Sequence, residues 1–473
     1  MRYYRIAILA ILLFLVNCVN CPPVISRDFD FSGAWRQLTQ KSNSLRAEQA
    51  NIDQAAHKQD AAKDLYLPQV NLSAGYLYLD DKIQLSPDDI LDSIPAGSML
   101  EGQFGSLGQA MGLSAEALQH GFTSTISDRE IKSSSLSLLW PIYTGGRITA
   151  TQDLAKASVS EARKHRDLKL YAQFQELCRR YFGVVMLRQL LDTRTEVENS
   201  LKIHLQHAQL MVENGQIAEV EKLQAEASHD KAKVDRKKAA SNLRIAQAAL
   251  TRLLQEKALV EPTSPLFINR KLPDLDTFID KTLADYPALA IFEAKKQMAN
   301  NLAALEEGKY YPEVALLGNY NLYEEDSLAS EMIPDWFVGL AVKVPILDRS
   351  GRGGKRLAAR SLITKVEALQ KQVREDLSIL VEKTYRLTKQ AIAEYDGLAS
   401  SLKLAEKTLE LREKAFDQGL ATSLDVVDAR LYVAGVKNRR SHAAYTYVTR
   451  LAELLTISGE LDLFPAYQQY VQP

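Results

Sequence analysis

Cysteine is close to missing: the chain has three in 473 residues. Cys18 and Cys21 fall in the first stretch and Cys178 stands by itself in a helical run, so no disulfide framework follows for the mature chain. Histidine is nearly as scarce. None of the seven shows HExxH spacing or pairs with a CxxC, and His204 and His207, three apart, read as part of a polar helix face. A nucleophile triad, a metal cluster and a phosphate loop are all missing, so neither an enzyme nor a cofactor is expected. Charge of one sign is lacking too. With 58 Lys and Arg against 59 Asp and Glu, the net charge is −1, which leaves no electrostatic footprint for nucleic acid.

Long apolar runs are also wanting. Ile6 to Val16, behind Arg2 and Arg5, is shorter than the roughly 20 residues of a bilayer-spanning helix. It has the length of a signal-peptide core, so residues 1–21 are expected to direct export, with an uncleaved N-terminal anchor as the alternative. Leu15-Val16-Asn17-Cys18 resembles a lipobox and makes Cys18 a candidate for lipidation, although Asn17 stands where a small residue is usual.

What the chain does have is repetition. "WPIYTGGR" at 140–147 matches "VPILDRSGR" at 344–352, and Pro141 and Pro345 are 204 residues apart, as are Gly215 and Gly419. Upstream, Pro68 and Pro312 are 244 apart, so the first copy carries 40 extra residues between Pro68 and Pro141. They belong to a Gly-, Ser- and Asp-rich stretch at 86–128 that reads as a long external loop. The expected plan is a first repeat over 28–257, a proline-broken linker over 258–275, a second repeat over 276–458 and a tail over 459–473. Each repeat runs helix, strand, strand, very long helix, helix. Helices are expected near 32–66, 146–213 and 217–256, then 276–310, 351–417 and 421–458; strands near 68–80, 131–143, 312–324 and 335–346.

The strands alternate. Val70, Leu72, Ala74, Tyr76 and Tyr78 share one face, with Gln69, Asn71, Ser73 and Gly75 on the other. Leu136, Leu138 and Trp140 oppose Ser133, Ser135 and Ser137 in the same way, and the second repeat follows with Val314, Leu316, Tyr320 and Leu322 and with Trp336, Val338, Leu340 and Val342. A sheet over a soluble core gives the same alternation. Strand length and aromatics near the strand ends favour a bilayer instead. Four strands cannot close a membrane barrel, so the barrel would be shared between chains.

Between Ile148 and Met211 there is no proline and the only glycine is Gly183, which allows one helix of roughly 90 to 100 Å. Its apolar residues recur at Leu170, Phe174, Leu177, Tyr181, Val184, Leu187 and Leu191, the 3.5-residue period of side-by-side helices. Pro68, Pro141, Pro312 and Pro345 are the expected joints where helix exchanges with strand.

The doubled helix and strand plan, the "YLP-x-V" and "WP-x-Y-x-GG-R" junctions and the turn "FDQGLATSLDVVDAR" together resemble the TolC-type outer-membrane channel family across nearly all of the mature chain. The fold class implied is mainly α with a small membrane β part. The resemblance implies a homotrimer in the bacterial outer membrane, in contact with its lipid, with three chains contributing four strands each to one barrel and a large periplasmic tunnel of helices. It also implies a periplasmic adaptor (membrane fusion) protein and an inner-membrane pump as partners, in tripartite efflux or type I secretion. Asp425 and Asp428 then stand where the family has carboxylate rings at a narrow entrance, with Glu221 as the first-copy counterpart; Gly215, Gly419, Leu420 and Thr422 shape the turns that meet the adaptor. Locally, Thr422 and Asp425 also fit a helix capping box. Some members latch the tip with a tyrosine and an arginine where this chain has Phe416 and Ala421, so that latch is missing. The alternative from another class is a soluble periplasmic coiled-coil scaffold or adaptor.

Overall fold

The computed structural model describes residues 27–95, 106, 110–112, 114, 123–324, 334–347 and 349–469. The expected signal peptide and Cys18 lie outside the described residues, as does much of the 86–128 loop. The chain begins β1 (Arg27–Phe29), α1 (Phe31–Lys41) and α2 (Asn43–Lys63), then a 3₁₀ turn leads to β2 (Gln69–Tyr78). After β3 (Ile83–Leu85), α3 (Pro87–Ser93) and β4 (Ser124–Ser127) come β5 (Glu130–Tyr143), α4 (Arg147–Glu213) and α5 (Glu219–Leu253). The second half has β6 (Val260–Pro262), α6 (Leu275–Asp285), α7 (Pro287–Gly308), β7 (Glu313–Glu324), β8 (Trp336–Lys343), α8 (Arg352–Asp417), α9 (Ser423–Ile457) and α10 (Phe464–Gln469).

Both expected entry helices are broken. In the second half the break falls at Tyr286, extended at ψ 124° because Pro287 clashes with a helical residue before it. In the first half it falls at Ser42, whose ψ of 115° interrupts the helix while its hydroxyl accepts from the Leu45 amide at 3.4 Å. Pro141 is displaced from its expected joint. It lies inside β5, opposite Ala315, and the register slips between Pro141 and Tyr143 because proline has no N–H to give the ladder.

Compact units do not follow the sequence repeats. One unit gathers the residues up to Ala55, Ser158–Lys296 and those from Lys365 on; the other gathers Ala56–Ala157 and Gln297–Thr364, so each draws on both halves. The first unit is helical around an aromatic core. Phe31 meets Phe174, Tyr181, Phe182 and Phe464 with ring centroids 4.8 to 5.6 Å apart. On α4 the period-3.5 residues Phe174, Leu177, Tyr181 and Val184 are buried, while Leu170, Leu187 and Leu191 are half-buried. Tyr181 ties this core to the linker: its hydroxyl donates to Phe29 O at 2.7 Å and accepts from the amides of Thr263 and Ser264 at 3.1 and 2.9 Å. The linker itself is not merely a helix breaker, since Val260–Pro262 pairs in parallel with Arg27–Phe29.

The other unit is built on a four-stranded antiparallel sheet of order β2-β5-β7-β8. Its register aligns the oily positions in rows. Leu72 faces Leu136, which faces Tyr320, which faces Trp336; Trp140, Leu316 and Leu340 make a second row. The small or polar residues form their own rows, such as Asn71, Ser137 and Asn319. Among the described residues, no helix is long and apolar enough to cross a membrane.

Candidate functional site

The helical turns that join α4 to α5 and α8 to α9 close in the same way. Gly215 and Gly419 both have φ of +69°, a left-handed conformation that a side chain would strain. The Gly215 amide donates to Val212 O and the Gln216 amide to Met211 O; Gly419 and Leu420 repeat this with Phe416 O and Ala415 O. Two crossed bonds of this kind satisfy the last carbonyls of a helix and fix the direction of the outgoing chain. Leu420, next in line, is 78% exposed.

α9 then starts on a capping box. The Thr422 hydroxyl accepts from the Asp425 amide at 3.2 Å, and Asp425 Oδ2 accepts from the Thr422 amide at 3.0 Å. The hydroxyl and amide of Thr422, with Arg412 3.4 Å away, hold the Asp425 carboxyl below the usual carboxylate range. Glu221, in the first turn of α5, also serves α9: its Oε2 accepts from the Ser423 amide at 2.8 Å. A helix leaves its first four amides without intrahelical partners, and here a side chain from the other half of the chain supplies one.

Ser423 is fully buried, and its hydroxyl meets His204 Nε2 at 2.6 Å. Burial, reinforced by Arg430 and His207 against the opposing pull of Asp417, brings the His204 pKa down to about 4 and keeps the ring neutral. Phe416 lies against that ring, 4.7 Å between centroids, in a small core with Ala208, Met211, Ala225 and Val426; Ala421 packs on its edge. His207 and Asp417, 3.3 Å apart, add a further link between α4 and α8. The two halves are therefore joined at their turns by side chains from both.

The structure thus brings together Thr422, Asp425 and Glu221 at the head of α9. Asp428 stands apart, exposed, with no hydrogen-bond or ion-pair partner among the described residues, in a groove of about 420 Å³ whose walls include Arg194, Lys231 and Asp235. His204 and Ser423 were not expected here. The signal for His204 was present, because Val197, Leu201, His204, Ala208 and Met211 continue the 3.5-residue stripe of α4 and all five are buried.

In the sheet unit, Pro68, Pro312 and Pro345 lie just outside β2, β7 and β8. At the first junction Trp140 Nε1 donates to Tyr66 O at 2.9 Å, and the Tyr66 hydroxyl lies 2.9 Å from that of Thr149. Among the described residues the oily rows are left open at the end strands, where Leu72 and Leu340 are each 69% exposed.

A sheet too small to close, with oily positions exposed among the described residues and long helices running on from its strands, fits the class of membrane channel proteins. The sequence pattern of the outer membrane efflux protein family matches residues 34–255 and 278–460, and the chain belongs to that family. The outer membrane protein TolC of Vibrio cholerae is 22% identical over 447 residues, covering 90% of each chain. Among solved structures, CusC aligns with a TM-score of 0.73 at 13% identity, over 91% of this chain and 92% of that one. VceC of Vibrio cholerae aligns at 0.72 and 13% identity, over 91% and 96%. The protein is an outer-membrane exit duct with a large periplasmic helical part, passive and without catalytic chemistry, and the soluble scaffold reading is set aside.

Proposed function

We propose that this duct works as a homotrimer within a tripartite efflux or type I secretion assembly, fed by a periplasmic adaptor and an inner-membrane pump. The observation that carries the proposal is the open sheet. β2 and β8 are end strands of a four-stranded order, and their unpaired backbone groups need partners in a bilayer. A second copy offers β2 to β8 in the same antiparallel sense, and three copies return to the start.

The turns at Gly215 and Gly419 to Leu420 form the adaptor contact, supported by their matched geometry and by the exposure of Leu420. Asp428, Asp425 and Glu221 form the acidic entrance. Asp425 and Glu221 also have local capping work, so Asp428, which has none, supplies the charge most directly to passing ions. Rings of carboxylates of this kind favour cations. The mature chain begins after residues 1–21, with Cys18 as an alternative lipidated start.

Mass measurement of the detergent-purified protein, followed by single-channel recording, tests the assembly. A trimer with small, cation-preferring conductance is expected. A stable monomer without conductance would end the shared-barrel reading.

A further inference from the structure

The two helix and strand junctions of the sheet unit share a plan but differ in charge. At the first, Ile142 and Tyr143 are exposed, and the one basic side chain in "PIYTGGR", Arg147, is taken by Glu313 at 2.7 Å and by Thr144 O at 3.0 Å. At the second, Ile346 and Leu347 are 88% and 94% exposed, the most exposed large apolar side chains of the described residues. Four basic residues, Arg349, Arg352, Lys355 and Arg356, follow within one turn of chain and the start of α8, against one acid in the segment, Asp348, which lies outside the described residues. Arg352 clamps the apolar segment to the helix by donating to Pro345 O at 2.8 Å and Ile346 O at 2.9 Å. Arg352 and Arg356 both lie over the Tyr310 ring, 4.5 and 5.4 Å from its centre. Arg349 and Lys355 have no carboxylate partner among the described residues, and Arg356 Nε is buried without one. On α7, Glu306 and Glu307 are engaged by Lys309 at 2.7 Å and by Arg360 at 2.6 Å.

We propose that this second junction binds the phosphate of an anionic phospholipid in the periplasm-facing leaflet, which rests on the outer-membrane reading above. An apolar pair raised into solvent beside cations that have no carboxylate partner among the described residues is costly in water and favourable at a headgroup boundary, where the side chains enter the acyl region and the cations meet phosphate. Arg349 and Lys355 are the phosphate ligands, Ile346 and Leu347 the acyl contacts, and Arg352 is the positioning residue that holds the segment against α8. The first junction, with its one arginine neutralised, lacks the site.

The test compares retention of phosphatidylglycerol and phosphatidylethanolamine by the full-length, detergent-purified protein, read by native mass spectrometry. Arg349→Gln with Lys355→Gln, both at solvent-exposed positions, should lower the preference for phosphatidylglycerol about 25-fold, since each cation near an anionic surface contributes about a factor of five. Ile346→Ser with Leu347→Ser should weaken retention of both lipids, while Ile142→Ser at the other junction should change neither. Wild-type preference in the Arg349 and Lys355 variant overturns the proposal. So does equal binding of free glycerol phosphate, which would make the ligand a soluble phosphate, and so does a loss of trimer mass in the Ile346 and Leu347 variant with lipid retention unchanged, which would make the occupant a second copy. Carbonate extraction of wild-type membranes runs in parallel: release of the wild-type chain would defeat the outer-membrane reading itself, whatever the variants do.

Discussion

The aromatic core of the helical unit and the oily rows of the sheet unit treat large apolar side chains in opposite ways. In the helical unit Phe31, Phe174, Tyr181, Phe182 and Phe464 are buried against one another, while in the sheet unit Leu72, Tyr76, Trp336 and Leu340 are each more than 60% exposed. The same hydrophobic effect acts on both. The aromatic core satisfies it within a single chain; the oily rows of the sheet would satisfy it against lipid. Truncating Phe31 to Ala should therefore cost about 3–5 kcal/mol, as for any large aromatic lost from a packed core. Leu340→Ala should be nearly neutral in detergent. Chemical unfolding of the two variants side by side measures the contrast, and equal losses would show that the sheet face is packed against protein.

Leu340→Arg sharpens the same comparison from the membrane side. A cation on a lipid-facing strand costs about 2–4 kcal/mol at the bilayer midplane and less near its edges. The expected outcome is poor membrane assembly with normal helical content. Normal assembly would place Leu340 on a wet surface.

Much of this contrast was legible in sequence, because period itself reports environment. The alternation in 70–78 and 336–342 and the 3.5-residue spacing from Phe174 to Val184 state which faces are oily, and the structure places those faces in rows and in a core. Contacts that depend on tertiary meeting carried no such period. Arg27–Phe29 and Val260–Pro262 are three residues each, too short to alternate, and they pair across more than 200 residues of chain. The compact units likewise cut across the repeats, since a duplicated plan describes order along the chain and not which segments pack together. At the turns, Thr422 and Asp425 were readable from spacing, and His204 would have been had its stripe been followed past Leu191.

His204 tests whether internal pairing in the helical unit extends to its turns. A histidine with an ordinary pKa of 6.5 when unfolded and about 4 when folded binds its proton more readily in the unfolded chain. Its contribution to stability is complete above pH 6.5 and is lost as pH falls toward 4. Arg430, His207 and Asp417 share the surroundings, so the slope belongs to the cluster and His204→Gln should flatten rather than abolish it. Unfolding midpoints followed from pH 7 to pH 4 decide this, and an unchanged slope in the variant would remove His204 as its source.

Thr422→Ala should have a smaller effect, about 1 kcal/mol, the usual loss of a helix N-cap. Hydrogen exchange at the first amides of α9 would localise it, and protection unchanged there would mean that Glu221 alone caps the helix.

Asp428→Asn should have the smallest effect on stability, because the carboxylate has no hydrogen-bond or ion-pair partner to lose among the described residues. If Asp428 faces the passing ions, amidation removes charge at the entrance without moving the turn, so cation preference in single-channel recording should fall while the unfolding midpoint stays in place. Asp425→Asn should do the reverse in part, because its Oδ2 holds the Thr422 amide and hydroxyl and the turn depends on it. The pair separates a charge that acts on ions from a charge that builds a helix, and equal selectivity in wild type and Asp428→Asn would assign the groove around Arg194 and Lys231, not the entrance, as the place where Asp428 acts.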